Sequence, residues 1–273
     1  MERVSVKIIS GISSFGGSTV AHINLCNLLN ENGIGAEFYG PHPWHLDKCR
    51  AKPLEEVEPE KGDIFIMHLI RPIKSMEGFF KKTVMSCHET DKYPLQQMKK
   101  AGRLNLSDFD FIHFVSEFQR DWHGISKSNV VIPNVISPLT KSPCDTGAAG
   151  IIGSIDNHKQ THISLLRAKQ DGYKKILLFG EITDHHYFNK QVRPIIDGGK
   201  EITHLGTSDD KQAMYDQLDI VYHSSKRESF NYIKGECGIT GVEYRGLDTA
   251  DPGSEYASSA DILQKWVKAL DLW

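Results

Sequence analysis

The chain has 273 residues, of which 39% are hydrophobic and 25% charged, and a formal net charge of −3. This composition excludes a disordered chain, and the small charge gives no general pull toward nucleic acid or anionic lipid. No apolar run reaches the ~18–20 residues of a spanning helix, so stable membrane insertion is not expected. The opening MERVSVKIIS carries no signal-peptide pattern. The five cysteines, Cys26, Cys49, Cys87, Cys144 and Cys237, form no C-x-x-C pair, which suits reduced thiols in a cytoplasmic setting. The 13 histidines include no H-E-x-x-H metal spacing.

In chain order, VSVKIISGI reads as a first strand. A helix follows from about Ser18 to Gly33, with Ala21, Leu25, Leu28 and Leu29 on one face, and then the strand AEFYG. DIFIMHLI, TVMSCH and FDFIHFVS are further short β-rich runs. Such continuous apolar strands separated by helices predict parallel sheets covered on both faces. Pro133 to Gly150 breaks the rhythm with prolines, glycines and Ser/Thr, and predicts a linker. Beyond it come GIIGSI, a helix through His162 to Gln170, KKILLFGE, a helix around Tyr187 to Ile196, EITHLG, a helix across Lys211 to Leu218, and DIVYHSS. VEYRG and a last helix, with Ile262, Trp266, Val267 and Leu270 inward, complete the pattern. The expectation is an α/β protein of two Rossmann-like domains facing across a cleft, residues 1–142 and 143–273, with the last helix in the second.

Several short stretches have chemical content. In SSFGGSTVAH, Gly16 and Gly17 precede a helix start whose free N–H groups favour an anion; a plain tight turn is the alternative. No G-x-G-x-x-G is present and AEFYG ends without an acidic residue, which argues against a dinucleotide dehydrogenase. His88 follows the strand TVMSC, where open parallel sheets bind ligands, although a histidine there can equally cap local structure. Ser116 suits a helix cap. Lys159, just after the GIIGSI strand and before a helix, suits a diphosphate, with solvated surface charge as the alternative. In SSKRESFNYIKGEC, a helix is expected to start near Ser229–Phe230, leaving Glu228 in the loop and Glu236 about two turns along. Two carboxylates so placed can accept hydrogen bonds from sugar hydroxyls, while helix-start N–H groups meet phosphates. Asp108-Phe109-Asp110 is a D-x-D, a pattern used for divalent metals, but it more simply ends a loop before FIHFVS.

These residues resemble the retaining GT-B glycosyltransferases of family 4 (glycosyl transferases group 1). The Glu-(seven residues)-Glu pair after a strand ending in Ser, with Gly241 beyond it, is the most specific element; FGGS, CHE, VSEFQRD…VIPNV and LLFGE…THLG occur in the family's order. The resemblance covers nearly the whole chain. It implies that Gly16 and Gly17 lie near a donor diphosphate, that His88 contacts the transferred sugar, and that Lys159 neutralises the leaving group. It implies that Glu228 binds sugar hydroxyls, that Glu236 binds ribose, that the Ser229 and Phe230 backbone completes the phosphate cradle, and that Leu205 and Gly206 flank the base. Two departures stand out: Ser154 follows Gly153 where the family usually has arginine, leaving Lys159 as the main cation with Arg227 as its helper, and Glu-Ser-Phe-Asn replaces the common Glu-Gly-Phe-Gly.

The activity implied is transfer of a hexose from a nucleoside diphosphate sugar, UDP- or GDP-linked, to an acceptor the sequence does not identify. It would proceed with retention and with neither metal nor other cofactor. A sugar-nucleotide epimerase or phosphorylase of the same fold, or a silent nucleotide-sugar-binding protein, are the alternatives.

Overall fold

The structure is a computed structural model that describes residues 5–11, 16–41, 49, 51–70, 80–90, 93–102, 104–143, 145–199, 201–208, 210–250, 253 and 255–272. Ser13 to Phe15, which open the glycine loop, and Cys144 lie outside them. The described chain divides into two compact units, Met1–Val135 with Gly253–Trp273, and Ile136–Pro252.

In the first unit, β1 (Val6–Ser10), α1 (Gly17–Glu31), β2 (Ala36–Gly40), β3 (Ala51–Pro53), β4 (Asp63–His68) and β5 (Phe80–Cys87) are followed by α2 (Tyr93–Lys100), β6 (Phe111–Phe114), α3 (Glu117–His123) and β7 (Asn129–Val131). The sheet order is β3-β2-β1-β4-β5-β6-β7, and every pairing is parallel. Side chains of a strand alternate between faces, and here both faces are apolar. Val6 and Ile8 join a core with Leu25, Leu28 and Leu29 of α1, while Ile9 joins Phe65, Met67, Met85 and Leu95 of α2 on the other side. That is why the strands read as unbroken apolar runs. Ser116 caps α3 as its sequence suggests, accepting from Gln119 N at 3.2 Å.

The second unit contains β8 (Ala148–Ile152), α4 (Thr161–Gln170), β9 (Lys175–Phe179), α5 (His185–Tyr187), α6 (Arg193–Asp197), β10 (Ile202–Gly206), α7 (Lys211–Tyr215), β11 (Ile220–His223), α8 (Tyr232–Thr240) and β12 (Glu243–Gly246). A single π turn, Phe188–Val192, joins α5 to α6. The order is β10-β9-β8-β11-β12, again parallel throughout. Each sheet reverses its strand order beside its first strand, at β1/β4 and at β8/β11, and that is where a parallel sheet opens a crevice beyond its strand ends. The fold class is therefore as the sequence implies: two Rossmann-like α/β units.

The domain limits differ from the expectation. The division falls at Val135/Ile136, and the last helix, α9 (Ser259–Leu270), belongs to the first unit. Ile262, Trp266, Val267 and Leu270 do face inward, but into the core formed by Val6, Ile8, Leu25 and Ile64. The reason is local. Lys81 Nζ donates to the Asp271 carbonyl at 2.8 Å and Lys82 Nζ to the Ala269 carbonyl at 3.0 Å, so two β5 lysines receive the negative end of the helix. Two helix limits also shift. α7 stops at Tyr215, short of Leu218. α8 begins at Tyr232, after Ser229 and Phe230: Asn231 is the cap and accepts from Lys234 N at 3.0 Å, while Phe230 is buried ahead of it. Among the described residues no helix is long and apolar enough to cross a membrane.

Candidate active site

At the C-terminal end of the first sheet, four imidazoles gather. His68 ends β4, His88 follows β5, His113 lies on β6 and His22 on α1. Ring centroids are 4.6 Å apart for His22 and His88, 5.3 Å for His68 and His88, and 5.9 Å for His88 and His113. Ser86 sits at their centre, its Oγ 3.2 Å from His22 Nε2, 3.0 Å from His88 Nε2 and 3.0 Å from His113 Nδ1. His68 Nε2 donates to Glu89 Oε1 at 2.7 Å, and Ser10 Oγ lies 3.2 Å from His68 Nδ1. Burial, then the neighbouring imidazoles, pushes His22 and His88 well below the ordinary imidazole value. Burial alone takes His113 down to about 4, against the pull of the Ile132 carbonyl. Burial would raise the Glu89 carboxyl, but His68 and local backbone N–H groups outweigh it and hold the group below the usual range. Three of the rings, His22, His88 and His113, are thus held neutral, and His68 is paired with the half-buried Glu89 carboxylate.

Beside it, α1 begins at Gly17, with Gly16 at the cap position in an extended conformation, no side-chain cap and no acidic residue in the first turn. Among the described residues a methyl group at Gly16 would meet nothing within 4 Å, and no side chain caps the helix start.

At the strand ends of the second sheet, β8, β9 and β10 run into Gly153, Gly180 and Gly206, at φ of 126°, 147° and 73°. Gly180 is required by approach as well as by φ, since an added Cβ would stand 1.8 Å from the Gly153 carbonyl oxygen. The turn after β8 is built on Asp156. Its carboxylate accepts from Ser154 Oγ at 2.7 Å, Thr183 Oγ1 at 3.2 Å and Lys159 N at 2.8 Å. Ser154, standing where the resembling family has arginine, is thereby a turn-forming residue. The turn aims Lys159 across the unit, and its Nζ donates to Glu228 Oε1 at 2.5 Å. His223, the last residue of β11, donates Nε2–H to the same oxygen at 3.0 Å. Burial alone would raise the Glu228 carboxyl; Lys159 and His223 outweigh it and bring it to about 2. Lys159 and Glu228, 69 positions apart in sequence, are brought into direct contact.

Glu236 is placed differently. It is buried on α8, one turn and not two from the helix start, with Tyr215 OH donating to Oε2 at 2.8 Å and Lys211 paired to Oε1. The two glutamates are held by different cations. The Arg227 carbonyl accepts from His158 Nε2 at 2.8 Å, which fixes the loop before Glu228. Phe230 is buried edge-on to Tyr232, 5.0 Å between centroids, and Ser229 lies with it in the turn leading to α8. Leu205 is exposed next to Gly206 at the end of β10, an apolar side chain open to solvent.

Asp108 and Asp110 lie at the opposite end of the first sheet, before β6. Asp110 Oδ2 accepts from Thr83 N at 2.7 Å and Thr83 Oγ1 at 3.1 Å, tying two strands together. Among the described residues no group of three or more His, Cys, Asp or Glu is placed to hold a metal.

Sequence reasoning missed His68, His113, His22, Ser86, Glu89, Asp156, His223, Lys211 and Tyr215. The strand-end position that singled out His88 applies equally to His68 and His223.

Solved structures share this fold over almost the full chain. The pneumococcal O-GlcNAc transferase GtfA, in complex with UDP and GlcNAc, matches with a TM-score of 0.71 at 9% identity, covering 99% of this chain and 92% of that one. HepE of Anabaena, in complex with UDP-glucose, matches at 0.66 and 14% identity, covering 98% and 89%. The fold is GT-B. A third GT-B match is AviGT4, a glycosyltransferase involved in avilamycin A biosynthesis, at a TM-score of 0.61 and 15% identity over 97% of this chain and 92% of that one. No family model matches the chain, and no curated protein matches it.

Proposed function

We propose that this GT-B chain is a glycosyltransferase that moves a hexose from a UDP- or GDP-linked donor to an acceptor, with retention and without a metal ion. The observation that carries the reading is the Lys159–Glu228 pair at the strand ends beside the β8/β11 reversal. Glu228 is ionised at neutral pH, so both its oxygens accept hydrogen bonds, as the hydroxyls of a sugar require. Lys159 supplies a positive charge beside it, placed to stabilise a diphosphate as it departs. Donor binding recruits this ammonium from the carboxylate to the phosphates, and uncapped N–H groups at Gly16 and Gly17 offer a second anion site in the first unit. His88 contacts the sugar, Glu236 the ribose, and Leu205 with Gly206 the base. Arg227, Ser229, Phe230 and Ser154 shape the loops that carry Glu228 and Lys159. The likeness to structures holding UDP and sugars supports this reading. A reducing, cytoplasmic setting belongs to the same proposal and rests on the free thiols of Cys26, Cys49, Cys87 and Cys237.

The test is a thermal-shift screen of UDP- and GDP-sugars, where a ligand at 100 times its Kd adds about 2.7 kcal/mol, followed by product analysis of the best donor. Transfer or slow donor hydrolysis with the anomeric configuration kept, insensitive to EDTA and abolished by Glu228→Ala, is expected. Epimerised donor or phosphate-dependent cleavage would replace this reading with the epimerase or phosphorylase one.

A further inference from the structure

The hydrogen bonds around Ser86 fix where the protons of His113, Ser86 and His88 lie. His113 Nε2 is 2.8 Å from the Ile132 carbonyl, which only accepts, so the proton of His113 is on Nε2. His113 is buried and neutral, so its Nδ1 carries a lone pair. Ser86 Oγ, 3.0 Å from that nitrogen, must donate its single proton to it. The serine oxygen then has only lone pairs for the two remaining neighbours. His88 Nε2 at 3.0 Å must therefore donate to it, with His22 Nε2 at 3.2 Å on its other side. The proton of neutral His88 is therefore on Nε2, and its Nδ1 is bare. His88 is half-buried at the end of β5, and Nδ1 has no partner among the described residues.

We infer that Ser86 and His113 are positioning residues that hold His88 in its Nε2–H form, so that the group it presents to a ligand is a hydrogen-bond acceptor and the ligand atom it takes is a hydroxyl proton donor. An oxygen of a phosphate, which has no proton to give at neutral pH, is disfavoured at this nitrogen. His22 closes the remaining side of the serine. The ligand half of the inference rests on the glycosyltransferase reading; the protonation form of His88 does not.

Nitrogen NMR of the full chain, labelled with 15N at the imidazole rings, reads the form directly, with His88→Gln identifying the resonances. At about neutral pH, His88 is expected to show a pyridine-type Nδ1 and a pyrrole-type Nε2 in the unliganded protein. A pyrrole-type Nδ1 overturns the inference. His113→Phe removes the acceptor of the serine proton, frees Ser86 to donate to His88 Nε2, and is expected to raise the Nδ1–H form of His88 from minor to comparable population. Ser86→Ala is expected to give a mixture of both forms in a chain whose circular dichroism is unchanged. An unaltered His88 signal in either folded variant counts against positioning, and where neither variant folds the wild-type spectrum decides. Titration with UDP-glucose and, in a second sample, with GDP-glucose separates the two readings. Binding that shifts His88 Nδ1 toward a hydrogen-bonded acceptor supports both, whereas absence of binding with the expected form intact removes the donor assignment and leaves the proton assignment standing.

Discussion

Lys159 Nζ and Glu228 Oε1 stand 2.5 Å apart, each reaching the other from a turn at the end of a different strand. Glu228 is nearly buried, so its charge depends on that partner and on His223. Lys159→Ala is expected to raise the Glu228 carboxyl pKa and to lower donor turnover at least about 100-fold, as loss of a leaving-group charge does. Lys159→Arg, which keeps the charge, should recover part of it. Steady-state rates on the donor identified by thermal shift check the ordering; equal rates in Ala and Arg variants would remove the electrostatic role.

The Gly180–Gly153 approach separates stability from function. Gly180→Ala forces a methyl group against the Gly153 carbonyl at a backbone angle that disfavours side chains. It is expected to cost at least about 2 kcal/mol. Gly16→Ala meets no atom within 4 Å and should cost less than about 1 kcal/mol, the difference between these residues at a helix cap. Urea midpoints give the comparison. If Gly16 lines the donor site, the second variant loses donor affinity while keeping its midpoint.

Acid should weaken the first unit over a defined window. His113 has its pKa lowered from the usual imidazole value of about 6.5 to about 4. Below pH 6.5 the unfolded chain takes a proton there that the folded chain refuses. The stabilisation is complete above 6.5, falls as the pH drops, and is lost by about 4, roughly 3 kcal/mol for this residue alone. His22 and His88 are shifted the same way. Glu228, lowered to about 2, adds a loss in the second unit only below about pH 4.5. Denaturant midpoints measured from pH 7.5 to 4 on wild type and His113→Phe test this; the variant should show the shallower decline.

Glu236 depends on Lys211 much as Glu228 depends on Lys159. Lys211→Met leaves a buried carboxylate with Tyr215 as its remaining side-chain donor among the described residues and is expected to cost about 2 kcal/mol. Glu236→Gln should lower UDP affinity about tenfold, the worth of one charged hydrogen bond. Calorimetric titration with UDP decides whether this carboxylate faces the nucleoside.

Much of the architecture was legible because both faces of each sheet are buried: VSVKII, DIFIMH and KILLF are too apolar for a half-exposed strand. Lys159 and Glu228 could be singled out by their places beside strand ends, and the structure brings them into contact. The partners of the site residues were not. His223 and Asp156 become important only when parallel strands set them beside residues far away in sequence, and no local spacing signals that. The start of α8 was misread because Ser229 and Asn231 both resemble caps, and only the packing of Phe230 selects Asn231. The last helix was misassigned because an amphipathic face announces that it will be covered, not by which layer.

Placing α9 in the first unit makes the second an insertion: the polypeptide leaves one hydrophobic core near Val135, builds another, and returns to finish the first. A growing chain on the ribosome can thus complete the later-made unit before the earlier one. Until Trp266 emerges, the face of β1 and α1 that it covers stays open to water, to chaperones and to other nascent chains.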